Sequence, residues 1–116
     1  MKRQYRLRRS SDFHQVRRDG KFKASTLMVL AFVRNNLAHS RFGFVVNKRL
    51  GNAVRRNKIK RRMREVTRLQ IEKIKPGFDI IFIARQPIRS AEYKEIEQTL
   101  SYLLRKQGLY LLPSKE

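Results

Sequence analysis

Of the eleven residues from Val54 to Arg64, seven are Lys or Arg: Arg55, Arg56, Lys58, Lys60, Arg61, Arg62 and Arg64. The chemistry open to such a run is anion capture, and of phosphates above all, because a guanidinium fork matches two phosphate oxygens at once. Metal-assisted cleavage of a phosphodiester asks for something else, a cluster of carboxylates that can hold Mg²⁺. Asp12, Asp19 and Asp79 form no cluster, and His14 and His39 are unpaired in the sequence and read as surface residues. With no cysteine there is neither a thiolate metal site nor a disulfide framework. The chain itself is therefore expected to hold no catalytic residue and no metal.

So much like charge must be carried by an element that is docked on something apolar. Ile59, Met63 and Val66 recur at spacings of four and three, within about 60° of one another on a helix. Asn57, Lys60, Arg61, Arg64 and Arg68 fall together on the opposite side. One stripe docks the helix and the other presents a rigid cationic ridge. A merely solvated helix face interleaves both signs to relieve repulsion. Here Glu65 is the only acid between Lys48 and Arg68, so the ridge reads as a nucleic-acid surface.

The remaining segments supply the scaffold. Ser10, Ser11 and Asp12 offer N-cap chemistry to a short helix that carries Phe13 and Val16 and stops at Gly20. Residues 21 to 24 read as a brief edge strand, "LMVLAFV" at 27–33 and "RFGFVVN" at 41–47 as two strands of a hairpin, and "NNLAHS" at 35–40 as their turn. The basic helix is expected from about Ala53 to about Ile74, with Asn52 as its cap and Pro76-Gly77 as its stop. "FDIIFIA" at 78–84 is a further buried strand, and Ser90 is placed as the cap of a last helix ending near Gly108. Tyr93, Ile96, Leu100, Leu103 and Leu104 make its apolar stripe.

The fold class that follows is α+β: one domain over 1–116, a small mixed sheet of about four strands, and three helices in the order helix, strands, helix, strand, helix. Leu30, Phe32, Phe44 and Val46 mark the bulky, core-facing side of the sheet. Val29, Ala31, Val33, Gly43 and Val45 make a face of smaller residues, on which the first helix could sit beside a shallow groove. Residues 1–9 and 113–116 are expected to be flexible.

The whole chain has 116 residues and a formal net charge of +20, which favours a polyanionic partner. Hydrophobic residues at 41% in regular periods argue against disorder. Residues 1 to 68 hold 21 of the 29 basic side chains, so the basic surface belongs to the first part of the chain. No apolar run approaches the roughly 20 residues of a membrane span, and "MKRQYRLRRS" lacks the apolar stretch of a secretory signal. A cytoplasmic protein is expected; a basic helix lying on anionic lipid is the weaker alternative. RNA is preferred to DNA as the partner. No zinc-finger spacing, zipper heptad or helix-turn-helix is present, and A-form RNA offers its phosphates but not its major groove to a helix.

Three stretches resemble a known family. "VVNKRLGNAVRRNKIKRRMRE" at 45–65 looks like the signature of the bacterial ribonuclease P protein component, and "RSSDFHQV" and "DIIFIARQP" are similar to it near the two ends. The resemblance implies a ribosomal-protein S5 domain 2-like fold with a left-handed strand–helix–strand crossover, against the general rule of handedness. It implies a ribonucleoprotein that removes the 5′ leader of precursor tRNA, with the active site and its Mg²⁺ held mainly by the RNA subunit. The family's Arg-Asn-Arg triplet corresponds to Arg56-Asn57-Lys58, with Asn57 at most a minor metal contact. Lys60, Arg61 and Arg64 match further basic positions, and Lys48, Gly51, Asn52 and Ala53 match the preceding loop. Arg49, Arg55, Arg62 and Arg68 complete the expected contact to the catalytic RNA.

The second implied site is a groove for the single-stranded leader, formed by Phe13, Arg17, Val29, Ala31 and Val45. Two positions depart from the family. Arg17 stands where an aromatic residue is common and Ala31 where Tyr is common, which replaces stacking area by charge and by a small side chain. Lys58 keeps the charge of the third triplet position without the bidentate fork. The expected partners are thus the catalytic RNA and the precursor leader, with no DNA and no membrane. A ribosomal-type RNA-binding protein or RNA chaperone is the alternative, since composition alone fits it equally well.

Overall fold

The computed structural model describes residues 1–111. A four-stranded mixed sheet carries three α-helices: α1 (Ser10–Asp19), β1 (Lys21–Ala24), β2 (Met28–Arg34), β3 (Arg41–Val45), α2 (Ala53–Arg68), β4 (Phe78–Ala84) and α3 (Tyr93–Lys106). The strand order is β1-β2-β4-β3. β1 and β2 form the hairpin, β2 and β4 are antiparallel, and β3 runs parallel to β4.

The expected hairpin between 27–33 and 41–47 is therefore corrected: β4 lies between those two strands. β4 is apolar on both faces from Ile80 to Ala84, and Ile80, Ile81 and Phe82 are fully buried. A strand buried on both faces belongs in the interior of a sheet, and the α2 crossover returns the chain from β3 so that β4 enters parallel to it, between β3 and β2. The 35–40 segment straddles the start of β4. The Asn35 N–H donates to the Gly77 carbonyl at 2.8 Å, and Ser40 Oγ donates to the Lys75 carbonyl at 2.6 Å and accepts from the Phe78 N–H at 3.0 Å.

The bulky face of the sheet holds the main core. Met28, Leu30, Phe82 and Ile80 pack there with Ile59, Met63 and Val66 of α2 and with Ile96, Leu100, Leu103 and Leu104 of α3. The other face holds a smaller cluster of Leu7, Val16, Ala31 and Ile81 under α1. Tyr93, placed on the α3 stripe from the sequence, is instead 36% exposed at the first turn of that helix.

Helix ends differ from the sequence reading for identifiable reasons. α2 stops at Arg68 rather than near Ile74; a separate 3-10 turn covers Ile71–Lys73. Residues 73–75 pair with the end of the chain, the Lys75 N–H donating to the Leu109 carbonyl and the Leu111 N–H to the Lys73 carbonyl, each at 2.8 Å. An α-helix has no free backbone groups for such pairing. α3 is capped by Glu92 and not Ser90: Glu92 and Glu95 form a reciprocal capping box, and Ser90 closes a preceding 3-10 turn, Gln86–Ser90. α1 has Arg9 at its N-cap position with no side-chain cap, so Ser10 is already helical.

Residues 1–9, expected to be flexible, are docked. Leu7 is 5% exposed, its N–H donates to the Phe42 carbonyl at 2.8 Å, and Arg6 bridges to Phe42 in parallel. Met1 and Tyr5 pack on the main core. The apolar residues of this basic segment are too few to show a period, yet each finds a place at the β3 edge. Of the tail 113–116, also read as flexible, nothing lies within the described residues.

Candidate nucleic-acid interface

The ridge begins at a backbone device. Gly51 has φ +133°, a conformation that L side chains rarely adopt, and the Arg55 side chain lies against it so closely that a Cβ would come within 2.7 Å of Arg55 Cδ. The next residue, Asn52, caps α2: its Oδ1 accepts from the Arg55 N–H at 2.9 Å. Ile59, Met63, Val66 and Thr67 are buried beneath the helix. The glycine, the cap and the buried stripe together hold the cationic face rigid.

Lys48, Arg49, Asn52, Arg55, Asn57, Lys58 and Arg61 are exposed, and Arg56, Lys60 and Arg64 are half-buried. The Arg56 Nε is enclosed with no hydrogen-bond acceptor among the described residues. The Arg64 guanidinium lies 5.9 Å from the centre of the Phe44 ring, which itself stacks on Phe82. Burial, and then the neighbouring charge of Arg6, push the Arg64 pKa below its ordinary value. These are cations brought together without counter-charge, the state a phosphate backbone relieves.

Two members of the expected contact set are diverted. Arg62 turns toward α3, where Nη1 donates to the Ala91 carbonyl at 3.4 Å. Arg68 is engaged by Glu65, at 2.6 Å from Nη2 to Oε1 and 3.1 Å from Nε to Oε2. That bond holds the Glu65 carboxyl below its usual pKa. The open ridge thus fades toward the end of α2. It extends instead at the β3 edge, where the docked N-terminal segment brings Arg6 beside Arg64. Arg3, Arg6, Arg8 and Arg9 line a concavity there together with Arg41. Sequence reasoning missed this extension; the alternation of Tyr5 and Leu7 with arginines was its faint signal.

On the opposite face of the sheet, α1 crosses from β3 toward β1. The Phe13 ring presses on Gly43 of β3, where an added Cβ would come within 2.5 Å of Cε1. Val16 is fully buried over the sheet. Asp12 pairs with Arg41 on one side of α1. Arg17, 140° around the helix from Asp12, falls on the other side and is exposed. On that side runs the cross-strand row Val29–Ile83–Val45, all three partly exposed. These residues, with Phe13, form a partly exposed strip beside α1. Ile83 was absent from the expected set, though the alternation of β4 carries it. Ala31 is fully buried under α1 in the adjoining row with Ile81, so it is not part of the open floor.

Among the described residues, carboxylates do not gather into a cation site. Asp12 and Asp79 converge on Arg41, whose guanidinium pairs with both. Among the described residues no group of three or more His, Cys, Asp or Glu could hold a metal ion. Asn57 has no acidic neighbour in the Asn52–Arg64 segment. The residues present do not fit a protein-held Mg²⁺. No helix among the described residues is long and apolar enough to cross a membrane.

An α+β scaffold that presents a rigid helical ridge of cations, with a partly exposed apolar strip on the other face of its sheet, defines an RNA-binding protein of the phosphate-tracking class. The family model described as Ribonuclease P matches residues 1–108. The ribonuclease P protein component of Alkaliphilus metalliredigens is 43% identical over 104 residues, covering 90% of this chain and 94% of that protein. The crystal structure of the Staphylococcus aureus RNase P protein superposes with a TM-score of 0.86 at 35% identity, over 92% of this chain and 98% of the other. That of Thermotoga maritima gives 0.81 at 34% identity, over 87% and 96%.

The chain belongs to the ribonuclease P protein component family. Its place is that of a protein subunit in the ribonucleoprotein endoribonuclease that processes the 5′ end of tRNA, in partnership with the ribonuclease P RNA.

Proposed function

We propose that the α2 ridge, with Lys48, Arg49 and Asn52 before it, docks on phosphates of the ribonuclease P RNA, and that the groove beside α1 receives the single-stranded 5′ leader of precursor tRNA. The observation that carries this reading is the one-sign ridge from Arg55 to Arg64, clamped by the Asn52 cap and left without acidic partners until Glu65. The apolar row Val29–Ile83–Val45, bordered by Phe13 and Arg17, suits the open faces of unpaired bases, which a duplex keeps stacked on one another. Mg²⁺, held mainly by the RNA, supplies the Lewis acid for phosphodiester hydrolysis. The protein's own residues bind and orient: cations track phosphates, and the groove sets how the leader lies relative to the cleavage point. The site of action is the cytoplasm, with neither DNA nor a membrane surface as partner.

The test is cleavage of precursor tRNA by the RNA alone, the protein alone and the reconstituted pair. The pair is expected to bind precursors with long leaders more tightly than the RNA alone does, with mature tRNA unaffected, and the protein alone to release no product. Equal affinity of RNA and holoenzyme for every leader length would overturn the leader role; cleavage by RNA-free protein would overturn the division of labour.

A further inference from the structure

Phe22 is the candidate that the groove does not yet account for. It sits on the edge strand β1 and is 51% exposed. Its register partner is Ala31, so the ring stands on the α1 face of the sheet, in the cross-strand row Phe22–Ala31–Ile81–Gly43. Phe13 covers Gly43 at one end of that row; Phe22 occupies the other. Strands spaced by about 4.8 Å put the two ends about 14 Å apart, a distance that a few nucleotides of single-stranded RNA would span.

The two rings are not equivalent. Phe13 is pressed on Gly43 and packed into the smaller cluster, so most of its surface is already used. Phe22 is opposed only by the methyl group of Ala31, and among the described residues its ring has no aromatic or cationic partner. Lys21 and Lys23 alternate with it to the other face of β1, and Arg17 of α1 is the exposed cation on the α1 face. An isolated exposed phenyl ring is common on protein surfaces. A free ring on this face, two residues along β1 from Ala24, the register partner of Val29, extends the partly exposed strip with an aromatic face for a base.

We propose that Phe22 is a second stacking platform, holding a leader base further along the strand than the one Phe13 reaches. The proposal rests on the groove being the leader site. Binding to Phe22 therefore requires a leader long enough to run past Val29 to the β1 edge, and it adds stacking without adding a charge contact.

The experiment uses the holoenzyme reconstituted with ribonuclease P RNA and precursor tRNAs with successively longer leaders. Phe22→Ala and Phe22→Leu are expected to weaken binding of long-leader precursor about tenfold, a loss in the range found for one base on one aromatic ring. Short-leader precursor and mature tRNA should bind as they do to the parent, and the salt slope should not change. The chain has no Trp, so Phe22→Trp places a single indole at the site; its fluorescence should be quenched by long-leader precursor and not by mature tRNA. Parental binding by Phe22→Leu would reduce the contact to apolar bulk and overturn stacking. Parental binding by Phe22→Ala at all lengths, with an unquenched indole, would overturn the platform altogether. Val29→Glu tells which reading has failed. If it abolishes the leader-length dependence while Phe22→Ala does not, the groove stands and the platform falls; if neither changes it, both fall.

Discussion

Arg41 grips Asp79 at two points, Nη2 to Oδ2 at 2.7 Å and Nε to Oδ1 at 2.9 Å, and the same guanidinium reaches Asp12 Oδ2 at 3.4 Å. One side chain on β3 thereby ties the start of β4 to the first turn of α1. The Asp79 side chain is only 4% exposed, and Asn35 Nδ2 donates to it at 2.8 Å.

Asp79→Ala leaves a partly buried guanidinium without its main partner, a change that costs about 3 kcal/mol for a buried pair. Denaturant unfolding should show this loss. Holoenzyme cleavage measured well below the lowered melting point should persist, because the carboxylate is structural. A folded Asp79→Asn variant that had lost cleavage while still binding RNA and precursor would give Asp79 a chemical role and refute this assignment.

Salt dependence separates the open ridge from the diverted cations. Each phosphate contact contributes roughly 0.9 to the log–log slope for a duplex and about 0.7 for single strands. Arg55→Ala, Lys58→Ala and Arg61→Ala are each expected to flatten the slope for binding ribonuclease P RNA by something under one unit. Arg68→Ala and Arg62→Ala should change it less, since Glu65 and the Ala91 carbonyl already engage those groups. Lys94→Ala, on α3 among Glu92, Glu95 and Glu97, serves as the reference. Equal flattening by all six would mean diffuse attraction to the whole +20 surface.

The enclosed Arg56 Nε and the proximity of Arg6 to Arg64 predict that small anions stabilise the free protein. A ligand that binds only the native state stabilises it by mass action. Millimolar sulfate or pyrophosphate should raise the melting temperature well beyond chloride at equal ionic strength, and Arg56→Ala should remove part of the difference. Identical shifts with both salts would leave only general screening.

Gly43 tests the seat of Phe13. A methyl group there would meet the Phe13 ring at 2.5 Å and Ile81 Cγ2 at 3.1 Å. Gly43→Ala is expected to lift the ring from the sheet, with an overpacking cost of about 1–3 kcal/mol and a selective loss of affinity for precursors with leaders. Ala31→Tyr, which would be a gain of stacking surface on an open floor, is expected to destabilise instead, because Ala31 is fully enclosed under Val16. Thermal melts and leader-length binding series on the two variants decide both points.

The sequence by itself determined the ridge. The spacing of Ile59, Met63 and Val66 orients α2, Asn52 caps it, and the near absence of acids leaves its outer face cationic, because helical periodicity and capping act over a few residues. The apolar runs at 28–34 and 78–84, the division of the sheet into a bulky and a small face, and the family signature at 45–65 were legible for the same local reason. Only the tertiary structure decided which strands are neighbours: β4 displaced β3 from β2 because the most apolar strand takes the interior, a competition among distant segments that no local pattern records. It also decided that residues 1–9 dock at the β3 edge, that Arg62 is turned to the Ala91 carbonyl, that Ala31 is covered while Ile83 stays partly exposed, and that Phe22 is left half in solvent. Each of these depends on which surfaces meet across the sheet, and burial of a side chain is set by that meeting rather than by its neighbours in the chain.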